Sequence, residues 1–232
     1  MNDRRSGLIV AVVGPDGTGK STIVGRLPSL LGGPVKTLYA GDNPEGGERP
    51  LPTTRLLWWY QRRTSGPPAH GPPPLGRPPR RSLARRVATA PRTTLLLANQ
   101  CAEEWTRLRR ARRWAAAGNV VVLDRSYIHD YWHHDIAAPD RSPVQRAHGW
   151  WLVHVLPRPD LTIVLDAPAE VLFARKPEGT LAAVARRRGE YADLESLTPA
   201  TVVVDADRPQ PDVEAAVVDA IRRRLAAGPA RR

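Results

Sequence analysis

Short runs of valine, leucine and isoleucine recur along the chain at residues 8–13, 120–124, 161–166 and 201–206, with a mixed run, Val35-Lys36-Thr37-Leu38-Tyr39, between the first two. Such runs are apolar on both faces, which fits strands buried in a parallel sheet rather than strands with one wet face. Between them the apolar positions recur at helical spacing: 20–31, 93–117, 146–156, 168–175 and 212–225. The longest of these places Leu97, Cys101, Trp105 and Leu108 on one face and is followed by Gly118-Asn119 as a C-cap. Strands alternating with helices predict an α/β domain with a parallel sheet and right-handed crossovers.

The first strand runs directly into Gly14-Pro15-Asp16-Gly17-Thr18-Gly19-Lys20-Ser21-Thr22, and a helix follows. Glycine, four residues, then Gly-Lys-Ser between a buried strand and a helix is the context of a phosphate-binding loop (P-loop, or Walker A). Its backbone N–H groups and the helix dipole converge on an anion. Gly14, Asp16, Gly17, Thr18, Gly19, Lys20, Ser21 and Thr22 are therefore expected to bind a nucleoside triphosphate, with Lys20 reaching the β/γ-phosphates and Ser21 giving its hydroxyl to Mg²⁺. The third strand ends in Asp124, where such a protein keeps its metal-associated carboxylate, so Ser21 and Asp124 are the expected magnesium ligands.

Arg125-Ser126-Tyr127 follow at that strand end, and the planar fork of Arg125 suits an acceptor phosphate. Asp42, in the polar turn 40–48 after the second strand, is expected to face the acceptor. His129 and His133 stand four apart, but no glutamate follows His129 and no cysteine is near, so this segment is expected to be a pocket-lining or surface helix rather than to hold zinc. Residues 175–191 alternate basic helices with Pro177-Glu178-Gly179-Thr180, an arrangement suited to a lid that brings arginines onto a transferring phosphate.

Composition narrows the picture. The 232 residues, 41% hydrophobic, suit a single domain spanning 1–232. One cysteine forbids an intrachain disulfide, and neither a cleavable leader nor a membrane-length apolar run is evident, so a cytoplasmic protein without a membrane partner is expected. The formal charge is +12, and eight arginines without one acidic residue fall in 62–92, so the basic balance belongs to one insertion rather than to the whole surface. Prolines 67, 68, 72, 73, 74, 78 and 79 make that insertion an exposed loop or linker in expectation, and its arginines lack the interleaved aromatics of a single-strand nucleic-acid binder. The segment 51–63, with Leu56-Leu57-Trp58-Trp59-Tyr60, reads as a short helix whose aromatic face packs on the core or closes a pocket.

With these residues placed, the chain resembles the thymidylate kinase family of P-loop kinases. The resemblance rests on the P-loop with Asp16 at its third position, Asp124-Arg125-Ser126-Tyr127, the stretch 156–168, Arg175-Lys176-Pro177-Glu178 and Val203-Val204-Asp205-Ala206. It implies a three-layer P-loop NTPase fold with five parallel strands in the order 2-3-1-4-5, helices on both faces and a helical lid. It further implies ATP and Mg²⁺ as cofactors, Asp16 on the acceptor sugar, and Arg125 on the acceptor phosphate with Tyr127 nearby. Arg175 and the segment after Ala206 would border the adenine, and Arg186 to Arg188 would supply lid cations, with Arg187 among the catalytic groups.

The expected reaction is transfer of the γ-phosphate of ATP to a small-molecule acceptor, a dTMP-like nucleoside monophosphate. The turn Ala40-Gly41-Asp42-Asn43-Pro44-Glu45 stands where the family carries Arg-Glu-Pro-Gly-Gly, and Asp124-Arg125-Ser126 also resembles the acid-Arg-Ser motif of deoxynucleoside kinases. A hydroxyl acceptor on a nucleoside, sugar or secondary metabolite, with Asp16, Asp42 or Asp124 as base, is thus the second reading. A nucleic-acid-binding NTPase or polynucleotide kinase is the third, and a nucleotide switch or transporter ATPase, lacking Asn-Lys-x-Asp and Leu-Ser-Gly-Gly, is the last. The sequence leaves the oligomeric state open, a homodimer included.

Overall fold

The computed structural model describes residues 7–41, 50–64, 83–192 and 200–228. Strands β1 (Leu8–Val13), β2 (Val35–Tyr39), β3 (Val120–Asp124), β4 (Leu161–Asp166) and β5 (Thr201–Asp205) form one all-parallel sheet in the order β2-β3-β1-β4-β5. Helices α1 (Lys20–Leu31), α2 (Pro52–Thr64), α3 (Leu83–Ala116), α4 (Tyr127–Tyr131), α5 (Pro143–His154), α6 (Ala169–Arg175), α7 (Leu181–Ala192) and α8 (Gln210–Ala226) flank it, and a π-helical turn, Trp132–Ile136, extends α4.

Successive side chains of a strand point to opposite faces, and the apolar runs use both. Leu8, Val10 and Val12 of β1 join Ile163 and Leu165 of β4 and the inner faces of α1 and α8 in one core. Ile9, Ala11 and Val13 join Val121 and Leu123 of β3 and residues of α3, α4 and α5 in the other. All six β1 side chains are buried, as expected for the central strand of a sheet covered on both faces.

Two helices differ from expectation. α3 begins at Leu83, ten residues before the expected start and within the basic insertion, and passes through Pro91. Leu83, Ala84, Arg85, Arg86 and Ala88 are strong helix formers, and one proline removes a hydrogen bond without halting the turns on either side. Of the insertion, residues 65–82 lie outside the described residues. In α2 the aromatic face is not wholly inward: Trp59 is half exposed, with the Arg63 guanidinium 4.1 Å from its ring centroid, and Leu56 is also exposed.

α3, α5 and the π-helical turn meet at a buried polar cluster. His148 Nδ1 lies 2.6 Å from Asp135 Oδ2, and its Nε2 lies 2.9 Å from Glu104 Oε1. Burial alone would lower the His148 pKa, but the hydrogen bonds to Asp135 and Glu104 outweigh it and hold it up at about 9. α5 is fixed at its start by a capping box, Ser142 accepting from Gln145 N and the Gln145 side chain accepting from Ser142 N. Among the described residues no helix is long and apolar enough to cross a membrane.

Candidate active site

Because the five strands run parallel, their carboxyl ends share one edge of the sheet, where open α/β sheets hold ligands. The loop 14–19 leaves β1 at this edge. Gly14 has φ 145°, and a Cβ there would strike the Leu165 carbonyl, so only glycine lets the loop turn beside β4. Gly19 opens α1 at φ 82° without any side-chain cap, leaving the first helical N–H groups free for an anion. Thr18 Oγ1 and Lys20 Nζ both donate to the Pro15 carbonyl, at 2.9 and 2.7 Å. Lys20 is 6% exposed and its ammonium lies 3.9 Å from Asp16 Oδ1; burial lowers its pKa to about 8, despite the Asp16 charge.

Ser21, on the first turn of α1, donates from Oγ to Asp124 Oδ2 at 2.8 Å, linking positions 103 residues apart. Asp124 Oδ1 is buried with no hydrogen-bond partner among the described residues. A hydroxyl and a carboxylate with one orphaned oxygen form a hard oxygen donor set, which fits Mg²⁺, a cation that keeps several waters and takes one or two protein oxygens. Lys20, the bare start of α1 and this oxygen pair are the groups that could hold a magnesium–nucleotide complex.

Arg125 follows with φ 76°, a left-handed conformation rare outside glycine, and its N–H bonds the Val12 carbonyl at 3.0 Å. This turn aims the guanidinium back across the sheet edge, where it donates to Asp16 Oδ1 at 3.1 Å. Gly41, after β2, makes the room: a Cβ there would overlap the Arg125 side chain and the Tyr39 hydroxyl. Burial would raise the Asp16 pKa, but Lys20, Arg125, Arg187 and Lys176 together hold it below the usual carboxylate range. Four cations thus act on Asp16, while Asp124 and Asp130 act in turn on Lys20, and Asp130 on Arg125.

Two openings flank the crevice. A cleft of about 260 Å³ lies between Gly17, Thr18, Gly19 and Thr22 on one side and Arg175, Ala206, Arg208 and Gln210 on the other. Arg175 is fixed in its wall, donating to the Ala206 carbonyl at 2.8 Å with Asp207 Oδ1 3.6 Å away. The second opening, small and polar, is lined by His129, Asp130, His133 and His134 from α4 and the π-helical turn and by Arg187, Glu190 and Tyr191 from α7. Arg188, beside Arg187, grips Asp166 at the end of β4 through Nε and NH2, both at 2.8 Å.

The structure thus brings together Gly14 to Thr22, Asp124, Arg125 and Arg175 around one sheet edge, with Arg187 close enough to act on the Asp16 charge. Tyr127 is placed elsewhere: it is buried in the α3-side core and its hydroxyl accepts from Arg107 at 3.2 Å. The reason is helical, since the first turn of α4 points this ring away from the edge that Arg125 faces. Asp42 lies outside the described residues. Sequence reasoning missed Gly41, which makes room for Arg125, and Asp166 as the anchor of Arg188. The available signals were a glycine two residues after a strand and a second apolar strand ending in a carboxylate. No protein-family model and no curated protein matches the chain.

Proposed function

We propose that the chain is an ATP- and Mg²⁺-dependent small-molecule kinase, thymidylate kinase-like in its P-loop fold and helical lid, that transfers the γ-phosphate of ATP to a nucleoside monophosphate. The observation that carries this reading is the meeting of Ser21 Oγ with Asp124 beside the orphaned Asp124 Oδ1, at the mouth of a glycine loop that buries Lys20. Those two side chains would hold the magnesium, which neutralises charge on the β- and γ-phosphates. The loop amides and the start of α1 bind the phosphates, and Lys20 exchanges the Pro15 carbonyl for phosphate oxygens. The adenine fits the cleft walled by Arg175 and Ala206.

Arg125 supplies the fork for the acceptor, with Asp16 holding it in place until the acceptor arrives. Arg187, from α7, closes on the reacting phosphoryl group and excludes water. The cations around Asp16 favour an anionic acceptor over a neutral hydroxyl, because a phosphate entering there finds compensating charge already in position.

The deciding experiment measures ADP release from ATP and Mg²⁺ with a panel of nucleoside monophosphates, nucleosides and sugars, with Lys20→Ala alongside. Release driven by a monophosphate and lost in Lys20→Ala supports the reading. Release driven only by a nucleoside or sugar moves the acceptor to the hydroxyl class. Turnover that survives in Lys20→Ala removes the glycine loop from the mechanism.

A further inference from the structure

The cluster of α3, α5 and the π-helical turn lies outside this kinase machinery, yet it has the make-up of a ligand site. Cys101, Glu104 and His148 each present one donor atom, and these three atoms lie within 4.8 Å of one another. Glu104 and His148 are each 2% exposed, while Cys101, a free thiol, is half-buried. Asp135 accepts from His148 Nδ1–H at 2.6 Å, which turns Nε2 toward Glu104 and Cys101. A carboxylate on one imidazole nitrogen and a metal on the other is the usual arrangement at histidine-ligated zinc.

The polar atoms here converge on one point. His148 Nε2, Glu104 Oε1 and the Gln100 amide nitrogen form a triangle with sides of 2.9, 3.2 and 3.2 Å. His148 and Gln100 both donate to Glu104 Oε1, and a metal ion bound by Nε2 and Oε1 would take the place of the proton between them.

We propose that Cys101, Glu104 and His148 form a zinc site, oriented by Asp135, with Gln100 Oε1 or a water in the fourth position. Sulfur, imidazole and carboxylate donors select Zn²⁺ over the hard Mg²⁺. Zinc bonds of about 2.0–2.3 Å space tetrahedral ligands roughly 3.2–3.8 Å apart, so Nε2 and Oε1, now 2.9 Å apart, must part slightly, and a donor pair at the 4.8 Å limit must close by about 1.0–1.6 Å. Binding releases the thiol proton and any proton on Nε2. The ion would pin α3 to α5 behind the segment that carries His129 and His133, a structural rather than a catalytic role.

The test uses the full chain, stripped with a chelator and titrated with Co²⁺ and then Zn²⁺. The expected result is one tetrahedral Co²⁺ per chain, with visible d–d bands and a sulfur-to-cobalt charge-transfer band, displaced by Zn²⁺. Cys101→Ser, a small change at a half-buried position, should lose the charge-transfer band and weaken Zn²⁺ at least about tenfold in chelator competition. Zinc should raise the Tm of the parent chain and not of Cys101→Ser. Lys20→Ala should bind the metal normally, which separates this site from the nucleotide site and from the fate of the kinase reading. Absence of the charge-transfer band, or equal Zn²⁺ affinity with and without the thiol, would overturn the proposal.

Discussion

Arg125 carries two costs that an ordinary loop residue avoids. Its φ of 76° disfavours a side-chain-bearing residue by about 1 kcal/mol, and its guanidinium is half-buried against Asp16. A glycine at this position would relieve the first. Arg125→Gly should therefore be about 1 kcal/mol more stable than Arg125→Ala, as read by urea unfolding. Both variants should lose acceptor kcat/KM to a similar extent, at least about a hundredfold, because both remove the fork. ATP affinity should change little, since Arg125 contacts Asp16 and not the loop amides. If Arg125→Gly retained normal acceptor kinetics, the left-handed turn would be only a way out of β3. If ATP affinity fell as far as acceptor turnover, the fork would belong to the donor instead.

At the scale of elements, α4 shows what burial does to a titratable group. His129 is 4% exposed and neither ring nitrogen has a hydrogen-bond partner among the described residues. Burial lowers its pKa from 6.5 to about 4. The unfolded chain therefore binds the proton more readily, and the folded state loses stability as pH falls from 6.5 to 4, by about 3 kcal/mol. Stability is whole above pH 6.5 and the loss levels off below pH 4. His129→Gln has no such titration and should flatten this limb of the pH–Tm profile relative to the parent chain. A limb of unchanged steepness would assign the acid sensitivity to another group. The elements themselves were readable to different depths. The four apolar strands could be placed to within a residue because strands covered on both faces leave continuous runs. The start of α3 was hidden by Pro91 and the arginines before it. The His148 cluster joins residues 44 and 13 apart in sequence on separate elements, which no local pattern reveals. A trace was present nonetheless, for Glu104 falls on the face shared by Leu97, Cys101 and Leu108, a carboxylate in an apolar stripe.

Over the whole molecule, the sequence fitted the parts of the crevice better than the forces between them. The Ser21–Asp124 and Asp16–Arg125 pairs follow once the strand order brings β1 and β3 together, so naming the strands nearly named the site. The tether of α7 could not be foreseen, because three consecutive arginines give no sign of which will face Asp166. Arg186 reaches toward Glu190, Arg187 faces the pocket of His133 and His134, and Arg188 takes Asp166. Arg188 and Asp166 are partly open to water, and an ion pair so placed adds little to global stability. It is suited to holding a helix that, in the proposed reaction, closes as a lid. Arg188→Ala should therefore speed hydrogen exchange of the 181–192 amides while shifting Tm by no more than about 2 °C. Adding ATP and Mg²⁺ should restore protection in the parent chain more fully than in this variant. Arg187→Ala should leave exchange and Tm as they are and lower kcat, since its charge is needed only when the phosphoryl group moves. The contrast separates tether from catalyst: equal exchange in both variants would remove the tether, and an unchanged kcat in Arg187→Ala would leave α7 as a fixed wall of the crevice.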